Sequence, residues 1–248
     1  VAPGGEKMLF TQQSEEKELV YSCQKESGAL WSIPKLEPAL SENGTNNYVD
    51  FIKNDLILKG GSVYKKASGE TGYQFFNHDN GNYQPKGQLI ITAYANYGDS
   101  AFLTATTDLK TVLLAVESDF TQGGTDFYFT NRKEDGTYGL LQNMGKMINS
   151  ADDDISPQLL SDGKTLLFSS NGFSGFGGYD IYVSYRLDDS WKNWSEPVNV
   201  GSSINSSGYD GAPYYDETNE MLYFVTDVDG KSAVHLARIP KQTLMNRK

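Results

Sequence analysis

The sequence predicts an all-β fold, a five-bladed β-propeller of four-stranded antiparallel blades, on three observations. Blocks of sequence recur in the same order at a spacing near 50 residues. Within a block, short runs rich in Leu, Ile, Val, Tyr and Phe alternate with Asp-Gly, Asn-Gly and Gly-Gly turns. No stretch shows the apolar period of an amphipathic helix of ordinary length.

The repeat is clearest in the second half. D-L-K-T-V-L-L-A-V (108–116) answers D-G-K-T-L-L-F-S-S (162–170), and G-G-T-D-F-Y-F (123–129) answers G-G-Y-D-I-Y-V (177–183), both at an offset of 54. M-G-K-M-I-N-S (144–150) answers V-G-S-S-I-N-S (200–206) at 56, as expected if a loop took two extra residues. A weaker third copy has N-E-M-L-Y-F-V-T (219–226) and A-V-H-L-A-R-I (233–239). Upstream, N-D-L-I-L-K-G (54–60) with G-Y-Q-F-F (72–76), and K-E-L-V-Y-S-C (17–23) with A-L-W-S-I-P (29–34), read as further strand pairs. Five copies fill the chain.

In the best copy the strands are expected at 155–160, 166–170, 179–187 and 196–200. Asp162-Gly163 is a hairpin signal, because only Gly, Asn or Asp tolerates the positive φ of such turns. Four short antiparallel strands per repeat make a propeller blade. The last copy has three evident strands, so ring closure is expected to draw a fourth from 1–10 or 241–248. Residues 1–248 are expected to form one domain of a longer protein.

Composition narrows the function. The 248 residues carry 21 Lys and Arg against 32 Asp and Glu, a net charge of −11. That balance argues against a nucleic-acid partner, which needs a basic face, and leaves room for cationic ligands or basic protein surfaces. No window approaches the roughly 18 apolar residues of a membrane helix. A single cysteine, Cys23, excludes an internal disulfide. His78 and His235 stand in no metal-binding spacing, and the acidic runs 151–154 and 227–230 complete no EF-hand loop, so neither metal nor cofactor is expected.

Individual residues carry two readings each. Asp126 and Asp180 follow paired glycines ahead of a third strand; recurrence favours carboxylates holding a tight turn over ligand contacts. Trp194 is expected to wedge between neighbouring sheets, Trp31 to lie in the core, and Trp191 to be more open. His235 is expected to pack within a strand and His78 to be solvated in a loop. Asp99, Asp153, Asp154 and Asp210 each follow a junction asparagine (Asn96, Asn149 or Asn205). They either cap turns or converge, beside Tyr97 and Tyr209, on the channel face of the propeller.

The segment S-P-Q-L-L-S-D-G-K-T-L-L-F-S-S-N-G-F-S-G-F-G-G-Y-D-I-Y-V, with W-S-E-P-V-N-V-G-S-S-I-N-S after it, resembles the WD40-like repeat of TolB-type propellers. It is most similar to the form found in Bacteroidetes envelope lipoproteins that precedes an OmpA-type peptidoglycan-binding domain. The resemblance is strong over 150–240, moderate over 88–150 and weak before that. It implies a periplasmic, outer-membrane-associated module, possible peptidoglycan attachment through a flanking domain, and assembly with a type IX secretion or gliding machine.

The function expected is therefore a non-catalytic scaffold that docks a protein or peptide. Tyr97, Asp99, Asp153, Asp154, Phe173, Phe176, Tyr209 and Asp210 form the candidate surface, exposed rings giving contact area and carboxylates steering a basic partner. The alternative is a five-bladed glycoside hydrolase or glycan-binding propeller using the same carboxylates with Asp50. Enzymatic activity is not expected, since acids repeated in every blade would share one environment and a catalytic pair needs two.

Overall fold

The computed structural model describes residues 1–14, 17–27, 30–42, 48–53, 55–60, 70–79, 81–98 and 101–245. Five antiparallel sheets follow one another along the chain, and the fold is an all-β, five-bladed propeller. The chain divides into two compact units, Val1–Ala101 with Lys133–Leu140, and Phe102–Arg132 with Leu141–Lys248.

In the first unit, blade 1 comprises β1 (Lys7–Ser14), β2 (Lys17–Gln24) and the short β3 (Lys35–Leu36), followed by the one-turn α1 (Pro38–Ser41). Blade 2 comprises β4 (Tyr48–Lys53), β5 (Leu56–Gly60), β6 (Glu70–Asp79) and β7 (Asn82–Ile90). Leu9, Val20, Leu40, Phe51, Ile57 and Phe76 pack as one core. Lys7 joins the blades through its ammonium, which donates to Tyr83 Oη at 2.5 Å and to Glu37 at 3.3 Å.

In the second unit, blade 3 comprises β8 (Phe102–Ala105), β9 (Thr111–Val116), β10 (Asp126–Asn131) and β11 (Gln142–Asn143). Blade 4 comprises β12 (Asp154–Leu159), β13 (Thr165–Ser170), β14 (Asp180–Tyr185) and β15 (Val198–Asn199), each within two residues of the expected position at its start. Blade 5 comprises β16 (Tyr209–Asp216), β17 (Met221–Val228) and β18 (Lys231–Arg238), and α2 (Lys241–Met245) follows.

The middle strands β9 and β13 are buried along their whole length, as strands covered on both faces must be. Their side chains form two cores. One, containing Leu113, Phe127, Phe168 and Trp194, joins blades 3 and 4; the other, containing Leu167, Ile181, Leu222 and Phe224, joins blades 4 and 5. The innermost strands β12 and β16 carry the same bulge, with Ser156 and Ala212 at φ of 51° and 48° ahead of a proline. Proline offers the ladder no N–H, so the strand buckles where it sits.

Several expectations need correction. The fourth strand of blade 5 does not form among the described residues: β1 pairs with β2 in blade 1, and 241–245 is helical. Residues 31–34 form no strand beyond the isolated bridge of Trp31 with Lys25, and Trp31 is only half-buried. Trp191 is buried rather than open, because Phe129 stacks on it and the Arg186 guanidinium lies 4.2 Å over its ring. His78 is half-buried in β6 between Phe51 and Tyr83, not solvated in a loop. His235 is exposed on β18, flanked by Phe224. Asp162 does not take a positive φ; Gly163 does, at 63°, and the Asp162 carboxylate accepts the N–H groups of Lys164 and Thr165.

Candidate functional site

The candidate surface lies at the loop ends of the second unit, and its geometry comes from a hydrogen-bond motif repeated in successive blades. Asn149 is buried, accepts the N–H of Phe127 at 2.8 Å through Oδ1 and donates to the carbonyl of Phe127 at 3.1 Å. Asn205 does the same to Ile181, at 2.9 and 3.0 Å. Each asparagine also donates to the asparagine six residues before it, Asn143 or Asn199. The amide oxygen thus replaces the missing ladder acceptor for the third-strand N–H, while the carbonyl is shared with the N–H of Met144 or Val200, just past β11 and β15.

A second motif uses carboxylates. Oδ2 of Asp126, Asp154 and Asp180 accepts the N–H four residues earlier, from Gln122, Ser150 and Phe176, at 2.6 to 2.7 Å. Asp210 accepts from Ser206 in the same way and from the Thr226 hydroxyl. All four side chains are buried. Asp126 and Asp180 therefore hold turns. Asp154 and Asp210 point inward too, so direct contact with a partner falls to their neighbours.

The paired glycines make the close approach of these loops possible. A Cβ at Gly177 would stand 2.6 Å from the carbonyl oxygens of Ser206 and Gly208, and one at Gly123 2.5 Å from those of Ala151 and Asp152. Real Cβ contacts do not reach so close, which explains Gly-Gly at both positions.

The loops 122–125, 150–153, 171–179 and 206–208 join in one continuous surface. Asp153 is its hub. Its Oδ1 accepts the N–H of Thr125 at 2.7 Å, its Oδ2 accepts the Tyr179 hydroxyl at 2.8 Å, and its own N–H donates to Asn171 at 2.8 Å. The Tyr179 and Tyr209 rings lie 5.3 Å apart, and Gly178 donates to the carbonyl of Gly208 at 2.7 Å. Phe176 is 53% exposed, while Phe173 is half-buried against Phe168 and Tyr182. Beside them an open cleft of about 320 Å³ is lined by Gln122, Lys146, Asn149, Ser150, Gly172 and Phe173.

Of the expected residues, Asp153, Asp154, Phe173, Phe176, Tyr209 and Asp210 come together in this unit. Tyr97 belongs to the first unit, where it is 40% exposed beside Asn96, whose Oδ1 accepts the N–H of Gly98. Asp99 lies outside the described residues. Tyr179, Gln122 and Lys146 were not singled out in the sequence; the replacement of Thr125 by Tyr179 within the repeat was the available signal for the first.

Burial alters the acid chemistry. Loss of water pushes the Asp154 carboxyl up to about 7, aided by the nearby charge of Asp126 and opposed by hydrogen bonds from Ser170 and Ser150. Burial also raises Asp126, and in the first unit Asp50, which accepts the Tyr48 hydroxyl. Tyr179 is raised as well, by burial and by the carboxylate of Asp153. Among the described residues, no three His, Cys, Asp or Glu side chains are placed to hold a metal ion. No helix is long and apolar enough to cross a membrane.

The fold is a five-bladed β-propeller that resembles TolB-type propellers. No protein-family model and no curated protein matches the sequence. Among solved structures, TolB from Acinetobacter baumannii is similar over 96% of this chain and 50% of its own, with a TM-score of 0.55 at 12% identity. An endo-arabinase from Bacteroides thetaiotaomicron matches over 95% of this chain and 90% of its own, with a TM-score of 0.56 at 14% identity. A thermostable family-43 glycoside hydrolase matches over 94% and 90%, at 0.55 and 12% identity. The chain thus spans half the length of the TolB structure and nine tenths of the other two.

These likenesses concern the fold, and they correct one expectation. Enzymatic activity was set aside because the acids recur at repeat spacing. The same fold carries an endo-arabinase and a glycoside hydrolase, so blade repetition does not exclude catalysis. The premise of a shared environment is also at odds with Asp154, whose carboxyl is tuned to about 7.

Proposed function

We propose that the loop surface of the second unit docks a basic peptide or protein segment. The observation that carries this reading is the division of labour among its side chains. Asp154 and Asp210 are turned inward to hold the loops, which leaves Phe176, Tyr179, Tyr209 and Asp153 at the surface as rings flanked by a carboxylate. Aromatic anchors give contact area, and a chain of net charge −11 draws a cationic partner towards them. In this reading the partner belongs to a cell envelope, and the propeller serves an outer-membrane secretion or gliding assembly, with a flanking domain as a link to peptidoglycan. The support for that placement is the resemblance of the repeat over 150–240.

The test is binding of a fluorescein-labelled Lys/Tyr peptide by fluorescence anisotropy. Association slows as salt rises, because the Debye length is about 8 Å at physiological ionic strength. Phe176→Ala combined with Asp153→Asn weakens binding at least about tenfold, as expected for a ring anchor and its steering charge. Unchanged affinity in that double variant, with the circular dichroism spectrum intact, overturns the reading.

A second reading has its own observation. The same fold carries an endo-arabinase and a family-43 glycoside hydrolase, and the Asp154 carboxyl, held near 7, lies one hydrogen bond behind Ser150 of the cleft that Phe173 also lines. Turnover of arabinan or xylan that is lost in Asp154→Asn establishes this reading; absence of turnover across both glycans removes it.

A further inference from the structure

Four of the five blades limit the strand edge they leave open. The outermost strands β3, β11 and β15 are two residues long. The outermost strand of blade 2, β7, is long but is broken by a register shift opposite Phe75 and Phe76, contains Pro85 and carries Lys86. Short edges, bulges, proline and lysine are the means by which sheets avoid pairing with foreign strands.

The edge of blade 5 is not short, bulged or broken by proline. Its last strand, β18, runs eight residues, pairs with β17 in unbroken register from Met221↔Arg238 to Val228↔Lys231, and has no second strand neighbour among the described residues. It is exposed along almost its whole length, with Val234 and Leu236 60% and 40% exposed. Ile239 donates its N–H to the carbonyl of Glu220, which sets the parity of the ladder. By alternation, residues 231, 233, 235 and 237 bond to β17, and the N–H and C=O groups of Ser232, Val234, Leu236 and Arg238 face outward.

We infer that β18 is a strand-addition site, at which an extended segment of a partner protein, acidic at its ends and alternating in apolar residues, completes blade 5. The charge of the strand selects this occupant. In an acidic chain, β18 contains Lys231, His235 and Arg238 and no carboxylate. A second copy is disfavoured, because antiparallel pairing of β18 with itself gathers two copies each of Lys231, His235 and Arg238 along one seam with no carboxylate among them, and like charges repel. Main-chain bonds to the outward groups supply affinity, and contacts of alternate side chains with Val234 and Leu236 supply selectivity.

The experiment uses the whole chain and a short fluorescein-labelled peptide with Glu at both ends and alternating Val and Thr between. Saturable binding is expected, with slowed amide exchange at Ser232, Val234 and Leu236 when peptide is present. Val234→Pro, which removes one outward N–H, lowers affinity at least about tenfold, whereas Val234→Thr, which keeps that N–H and the strand preference, binds as the parent does. Overturning results are no binding at millimolar peptide, equal binding by Val234→Pro, or a dimer in sedimentation that protects β18 without peptide. Should Val234→Pro fail to fold, the exchange pattern of the unmodified chain decides: no slowing at the three outward amides overturns the inference.

Discussion

Asp154 accepts the backbone N–H of Ser150 at 2.6 Å, and Asp210 stands in the same relation to Ser206 one blade further on. The junction between blades is thereby locked by a carboxylate reaching four residues back. The next strand continues from that lock: Asp154 and Asp210 donate their own N–H groups to the carbonyls of Thr125 and Tyr179 in the preceding blade. One residue type at one position joins two blades and shapes the loop between them.

That lock makes stability depend on pH. The folded-state value of Asp154, about 7, lies above that of the unfolded chain, so ionisation opposes folding. Its stabilising share is complete below about pH 4, where the unfolded carboxyl is also protonated, and is lost as pH rises through 7. Urea unfolding at pH 4, 6 and 8 should show the parent losing stability across this range and Asp154→Asn losing less. A parallel decline in both proteins would assign the trend to other groups.

The junction asparagines predict a larger loss. Asn149→Ala strips both the N–H and the carbonyl of Phe127 of their side-chain partner in a buried setting. The cost should be about 1–3 kcal/mol, the penalty of leaving the buried Phe127 N–H unsatisfied, since its carbonyl still accepts the Met144 N–H at 3.0 Å. Asn205→Ala should cost a similar amount through Ile181. Equilibrium denaturation of the two variants checks both the size and the equality.

A stabilising change is also expected. Leu109 occupies the turn position that Gly163 holds in the next blade, and it does so at φ of 57°. The left-handed region costs a branched side chain about 1–2 kcal/mol, so Leu109→Gly should raise stability by about 1 kcal/mol despite the added freedom of the unfolded chain. Loss of stability in this variant would mean that the half-buried leucine side chain contributes more by packing than its backbone costs.

Much of the fold was legible because a repeated blade writes its needs into the sequence more than once. Asp162-Gly163 and Asp108-Leu109 marked the same turn, and Asn149 and Asn205 the same junction. The first unit was less legible. Trp31 sits in a motif that reads as a strand, yet the chain there makes a single bridge with Lys25 before the two-residue β3. Apolar content identified residues able to enter a strand, but only Lys35 and Leu36 pair with β2 before Pro38 opens α1.

The sequence by itself determined the number of blades, the places of the turns and the acidic charge of the surface, because these follow from period, glycine placement and composition. Tertiary structure decided which carboxylates face water. Asp153 and Asp154 are adjacent in an acidic run, but strands alternate the direction of successive side chains. One therefore reaches the Tyr179 hydroxyl at the surface, and the other enters the interior and loses its water. Tertiary structure also decided that β18 has β17 as its one strand neighbour among the described residues, since 241–245 turn into α2 instead of returning along the blade.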